Sequence, residues 1–140
     1  MIGKNDMLAN AKMQTIIWTS HIDKAEHFYT HILGLPFIKM SHGALVYCVN
    51  GGDLRVSPVP QTRPSEHTVL GFAVADIRTV IRQLNSQGVV MERFTNFAQD
   101  ENGILKIPGG DQVAWFRDPD GNLLSVVEYA IASLPAAPTR

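Results

Sequence analysis

A chain of 140 residues with 45% apolar and 18% charged side chains suffices for one compact domain or two small modules sharing a core. Its formal charge of −1, without any basic run, argues against nucleic-acid and membrane partners. One cysteine, Cys48, excludes an internal disulfide, and no apolar run is long enough for a bilayer span or signal peptide, so a cytoplasmic setting is expected.

Residues 1–10 are polar and unpatterned and read as a lead-in. Residues 12–19 are rich in β-branched and aromatic types and read as a strand, with Gln14, Ile16 and Trp18 on one face. Ile22, Ala25, Phe28, Tyr29, Ile32 and Leu33 then form one apolar stripe of helical period. Ser20 is the expected cap of that helix, Gly34 its stop, and Pro36 prevents a restart. Residues 37–41, 44–49 and 53–58 read as strands, turning at His42-Gly43 and at Asn50-Gly51-Gly52. A proline-rich stretch follows, with the linker placed at 61–67.

The pattern recurs. Residues 68–75 read as a strand, and Asp76 caps a helix in which Ile77, Val80, Ile81 and Leu84 share a face. Gly88 ends that helix. Residues 89–94 read as a strand, and 95–111 as a long polar loop. A hairpin closes the unit, turning at Asp118-Pro119-Asp120-Gly121-Asn122. On its strands Val113, Trp115 and Arg117 alternate with Ala114 and Phe116, and Leu123, Ser125 and Val127 with Leu124, Val126 and Glu128. Residues 130–140 are an Ala- and Pro-rich tail.

Strand-helix-strand-strand-strand thus occurs twice, at 11–60 and 68–129. The offset is about 55 residues in front (Gln14 to Val69) and about 70 at the last strand. The expected fold is α+β, two βαβββ modules in one compact domain. A helix lies outside each, and the other face of a rolled mixed sheet forms a cup.

This duplicated frame, the run His21-Ile22-Asp23-Lys24-Ala25-Glu26-His27-Phe28-Tyr29 leading into Leu33-Gly34-Leu35, and the Asp-Pro-Asp-Gly-Asn turn together resemble the vicinal oxygen chelate superfamily. That superfamily holds glyoxalases, bleomycin-resistance proteins and extradiol dioxygenases. The likeness covers residues 12–129, and residues 97–104 with the hairpin resemble a short glyoxalase-like subgroup.

The resemblance implies a metal held by four side chains from the first and last strands of each module. Those positions fall on Gln14, Val69, Ser125 and Arg55, or Ser57 if the register slips by two. Gln14 alone is a conventional ligand. Valine has no donor, arginine repels a cation, and serine stands where glutamate is usual. Glu128 has the wrong parity to substitute. No metal and no cofactor are therefore expected.

Trp18 and Trp115 fall on faces that the resemblance turns into the cup, where they wall an apolar ligand or fill the sheet core. Gln14, Arg55 and Arg117 would supply polar contacts to a carboxylate or planar polar group. The expected function is metal-free binding of a small aromatic or amphipathic molecule by Gln14, Trp18, Arg55, Val69, Trp115, Arg117 and Ser125. The alternative is a lyase or isomerase of the glyoxalase I (lactoylglutathione lyase) type with an atypical site using Gln14 and His67. Catalytic residues stay unassigned, enzymatic activity stays open, and the resemblance implies a homodimer.

The remaining reactive side chains have plainer readings. His27 and His31 lie opposite the apolar stripe, on the solvent side. His21 and His42 sit at a helix start and a turn, and Cys48 reads as a small buried hydrophobe. In the long loop, Gln99-Asp100-Glu101 read as solvated, and Phe94 and Phe97 as the residues that dock the loop.

Overall fold

The computed structural model describes residues 7–131. Most of the expected lead-in and tail lie outside the described residues. The chain divides into two compact units between Gln61 and Thr62.

The first unit contains β1 (Gln14–Thr19), α1 (Ile22–Glu26) continued by a π-helical segment (His27–Ile32), β2 (Phe37–Ser41), β3 (Ala44–Val49) and β4 (Gly52–Pro58). Its sheet runs β1-β4-β3-β2, with β1 parallel to β4 and the other pairs antiparallel. The two hairpins need positive φ at both central residues. His42 (51°) with Gly43 (80°), and Asn50 (48°) with Gly51 (86°), supply it. One face buries Ile17, Leu45, Tyr47, Leu54 and Val56, along with Ala25, Phe28 and Tyr29 of the helix.

The expected helix is present but not uniformly α-helical. From His27 it widens, and Leu33 N–H donates five residues back to the Phe28 carbonyl at 2.8 Å. Within the widened turn Phe28 meets Tyr29 edge-on at 5.0 Å, and Thr30 Oγ1 lies 2.8 Å from the buried Tyr47 hydroxyl. That hydroxyl would otherwise be desolvated without a partner. Burial pushes the Tyr47 phenol above its ordinary value; the Thr30 bond opposes the rise and the Glu26 charge adds to it. Ser20 does not cap this helix: His21 holds the N-cap position without a side-chain capping bond.

The second unit contains β5 (Leu70–Ala73), α2 (Ile77–Ser86), β6 (Leu105–Lys106), β7 (Gln112–Arg117) and β8 (Leu123–Glu128). Its sheet runs β5-β8-β7-β6, with β5 parallel to β8. Helix α2 buries Ile77, Ile81 and Leu84. Two carboxylates hold its N-terminus. Asp76 Oδ1 accepts from Thr79 N–H at 3.2 Å, and Glu128 Oε1 from Ile77 N–H at 3.0 Å. The Thr79 hydroxyl, then its N–H, hold the Asp76 carboxyl below the usual carboxylate value. Both modules are therefore βαβββ, and the fold is α+β.

One strand is displaced from its expected place. Residues 89–94 form no strand, and the second strand of this unit is instead β6, inside the expected loop. The reason is a side chain. Gln99 Oε1 accepts from Phe94 N–H at 2.8 Å, and its Nε2 donates to the carbonyls of Glu92 (2.9 Å) and Gly103 (2.8 Å). An amide side chain thus takes backbone groups that a ladder would use.

The Asp118–Asn122 turn is also held by side chains. Asp118 Oδ1 accepts from the N–H groups of Asp120 (3.0 Å) and Asn122 (2.8 Å), and Oδ2 from Asn122 Nδ2 (2.8 Å). Asp118 and Asn122 are both buried, and Gly121 takes φ 89°. Among the described residues no helix is long and apolar enough to cross a membrane.

Candidate functional site

Each sheet has a face turned away from its helix, and cross-strand register defines what lies there. In the first unit Ile16 pairs with Arg55 and Arg55 with Val46. One row away, Gln14 pairs with Asp53 and Asp53 with Cys48; on the other side Trp18 pairs with Ser57. Three sequence-predicted residues, Gln14, Trp18 and Arg55, thus share this face. Trp18 is 57% exposed and Ile16 55%. Arg55 Nη2 donates to the Ser41 carbonyl at 2.8 Å, and Lys12 Nζ lies 3.1 Å from Asp53 Oδ1. Cys48 is half-buried here rather than buried against the helix.

In the second unit Gly71 pairs with Ser125, and Ser125 with Trp115. By these pairings it is the row equivalent to Ile16, Arg55 and Val46. Val69 extends the β5 edge, donating its N–H to the Leu123 carbonyl at 2.9 Å. Leu123 pairs with Arg117. Val69, Trp115, Arg117 and Ser125 therefore share a face, beside the bare backbone of Gly71. A Cβ added to Gly71 would come within 2.9 Å of Ser125 Oγ. Sequence reasoning missed Gly71, although a lone glycine inside a strand pattern is itself a signal of close approach.

Over this face lies an aromatic cluster. Phe97 stacks on Trp115 with ring centroids 5.4 Å apart and planes inclined by 22°. Phe94 meets Trp115 edge-on at 5.4 Å, and Phe97 at 5.7 Å. Glu92 N–H donates to the Trp115 carbonyl at 2.7 Å, which brings the segment alongside β7. Beside the cluster Arg117 Nε donates to Glu92 Oε1 at 2.7 Å, and Nη1 to the Gly121 carbonyl at 2.8 Å. Arg117 is thus a cation held in place by a carboxylate and a turn.

The loop carrying Phe94 and Phe97 is bonded more closely than its polar sequence implies. Besides Gln99, Arg93 Nη2 donates to the carbonyls of Asp100 (2.7 Å) and Glu101 (2.8 Å). Asp100 Oδ1 accepts from the N–H groups of Asn102 and Ile104, each at 2.9 Å. Burial pushes the Asp100 carboxyl up, but those two N–H groups and the Arg78 guanidinium outweigh it and hold the group below its ordinary value. The reading of Gln99 and Asp100 as solvated is therefore corrected: both tie the loop together. Glu101 is exposed.

The histidines offer less. His27 and His31 are exposed neighbours with ring centroids 5.8 Å apart. His67 lies exposed in a bend. Among the described residues no group of three or more His, Cys, Asp or Glu side chains could hold a metal ion. Of the positions that the family resemblance assigns to a metal, those of the first unit carry an amide (Gln14) and a guanidinium already donating to a carbonyl (Arg55), and those of the second a hydrocarbon (Val69) and a hydroxyl (Ser125). This donor set does not fit a divalent cation, which wants several converging oxygen or nitrogen donors and usually a carboxylate or imidazole. Glu128 is no replacement, because its carboxylate faces the helix side, against Ile77 and Gln112.

Each half thus repeats one βαβββ frame with an open mixed-sheet face. The model of the Glyoxalase/Bleomycin resistance protein/Dioxygenase superfamily matches residues 13–126. The chain belongs to this family, the vicinal oxygen chelate superfamily. Among solved structures it is similar to lactoylglutathione lyase from Agrobacterium tumefaciens, at 19% identity over 85% of this chain and 93% of that one, TM-score 0.65. It is similar to a glyoxalase family protein from Enterococcus faecalis, at 22% identity over 86% and 100%, TM-score 0.66. It is also similar to a superfamily member from Sphaerobacter thermophilus, at 20% identity over 84% and 96%, TM-score 0.66. At these identities the likeness carries the fold alone. No curated protein matches the chain.

Proposed function

We propose that this protein binds a small aromatic or amphipathic molecule on the open face of its second module, without a metal. The observation that carries this reading is the row Gly71, Ser125, Trp115, with Phe94 and Phe97 packed on Trp115. It combines a floor without side chains, one hydroxyl and a flat apolar wall, the composition that suits a small-molecule site. Ser125 and Arg117 meet the polar end of the ligand, Arg117 being suited to an anionic or planar group. The unsuitable donor set at Gln14, Val69, Arg55 and Ser125 supports the metal-free part of the reading.

The test combines metal analysis with binding. Protein purified without chelator should carry less than stoichiometric metal. A panel of small aromatic compounds should yield a ligand whose affinity is unchanged by EDTA. Stoichiometric Ni, Zn, Mn or Fe, or binding abolished by EDTA, would overturn this reading in favour of a metal-dependent lyase or isomerase. A panel without any ligand would overturn the binding function itself.

A further inference from the structure

We propose that Phe97 occupies the stacking position of the ligand, which is a planar aromatic molecule, and that residues 95–98 swing away to admit it. This inference rests on the binding reading and names the class of ligand and the residue that controls its entry.

The geometry separates a fixed loop base from a lightly held tip. The base is cross-linked on both sides of the tip. Gln99 ties Glu92, Phe94 and Gly103, Arg93 ties Asp100 and Glu101, and Asp100 ties Asn102 and Ile104. The tip itself closes a local turn, Phe97 N–H to the Phe94 carbonyl at 3.1 Å. Beyond that turn, its ring is held by aromatic packing on Trp115 and Phe94. Phe97 remains 44% exposed, so lifting it uncovers only part of a ring. Phe94, bonded through its backbone to Gln99, stays behind as an edge-on wall.

The near-parallel Phe97–Trp115 arrangement, at 22° and 5.4 Å, is one that an incoming planar ring would reproduce. A planar ligand replaces one stack on Trp115 with another, so displacing Phe97 costs little. A saturated ligand of similar size cannot restore the stack, because it has no flat π-face. Phe97 therefore competes with the ligand and sets its shape, whereas a fixed wall would add to affinity.

The two cases predict opposite signs for Phe97→Ala. Isothermal titration calorimetry with 2-naphthoate, and with cyclohexanecarboxylate as the saturated control, reads the difference. Removing the competing ring should tighten naphthoate binding by about three- to tenfold. Phe97→Leu, which keeps apolar cover without a flat face, should fall between. The saturated acid should bind far more weakly to all three proteins. Unchanged or weaker naphthoate binding by Phe97→Ala would overturn the competition while leaving the binding function in place. Naphthoate bound no better than the saturated acid would overturn the planar class.

Discussion

The equivalent rows of the two modules differ at every position. In the first, Ile16, Arg55 and Val46 fill the middle of the open face, and Arg55 is turned to the Ser41 carbonyl. In the second, Gly71, Ser125 and Trp115 leave a floor, a hydroxyl and a wall, with an inserted loop docked above. One backbone plan thus carries isoleucine, arginine and valine in one copy, and glycine, serine and tryptophan in the other. The difference arises largely from Ile16 against Gly71, where a β-branched side chain is replaced by none. Duplication supplies the scaffold, and single residues at matched register give the two open faces different chemistry.

The turns differ in the same way, and this sets the largest expected effect. The first module's hairpins rest on backbone geometry at His42-Gly43 and Asn50-Gly51. The Asp118 turn rests on a buried carboxylate that accepts from Asp120 N–H and from Asn122 N–H and Nδ2. Asp118→Ala should cost roughly 2–3 kcal/mol in urea unfolding, because it leaves buried donors unsatisfied. Asn50→Ala should cost less, about 1 kcal/mol, because it loses only the tolerance of asparagine for the left-handed conformation. Similar costs at the two turns would break this contrast.

The helices come next. Thr30→Val keeps the volume of the widened turn but removes the partner of the Tyr47 hydroxyl. It should destabilise the protein by roughly 1–2 kcal/mol, measured by thermal or urea denaturation. On the open face of the second module, Gly71→Ala puts a Cβ within 2.9 Å of Ser125 Oγ. Naphthoate affinity should fall about tenfold, with a stability loss of about 1 kcal/mol. Unchanged binding by a folded Gly71→Ala protein would mean that the ligand does not lie against Gly71.

The smallest effects are titrations, and they separate the modules by pH. Asp76 and Asp100, both in the second module, have lowered values in the folded protein. Their contribution is therefore present above the ordinary carboxylate value of 3.8 and is lost as pH falls below it. Tyr47, in the first module, has a raised value, so its contribution is present below 10.0 and is lost as pH rises through the folded value. Acid should loosen the surroundings of Trp115 first, and alkali those of Trp18. Fluorescence of Trp18→Phe and Trp115→Phe proteins across pH distinguishes this from uniform loosening.

Local patterns were legible wherever neighbours in sequence decide the conformation. The turns at Asn50-Gly51 and His42-Gly43 bounded β2 to β4 closely, Asp76 marked the start of α2, and alternation put Trp18, Trp115, Arg55 and Ser125 on the helix-free faces. What escaped depends on partners distant from the local pattern. The stretch 89–94 has strand composition, but Gln99 diverts its backbone bonds. The π-helical widening and its Thr30–Tyr47 contact join positions 17 residues apart. The bare position of Gly71 beside Ser125 emerges only once β5 is set against β8. Of the candidate site, the faces could be read from parity and the docking of the loop by Phe94 and Phe97 from its composition, but not that Trp115 is the surface on which they pack.

Two single-tryptophan proteins test whether the open face of the second module binds the ligand. Titrated with 2-naphthoate, the Trp18→Phe protein should keep its ligand-dependent emission change, because Trp115 reports it. The Trp115→Phe protein should show neither the change nor comparable affinity by calorimetry. Full-affinity binding by Trp115→Phe, with the emission of Trp18 now reporting it, would contradict the account.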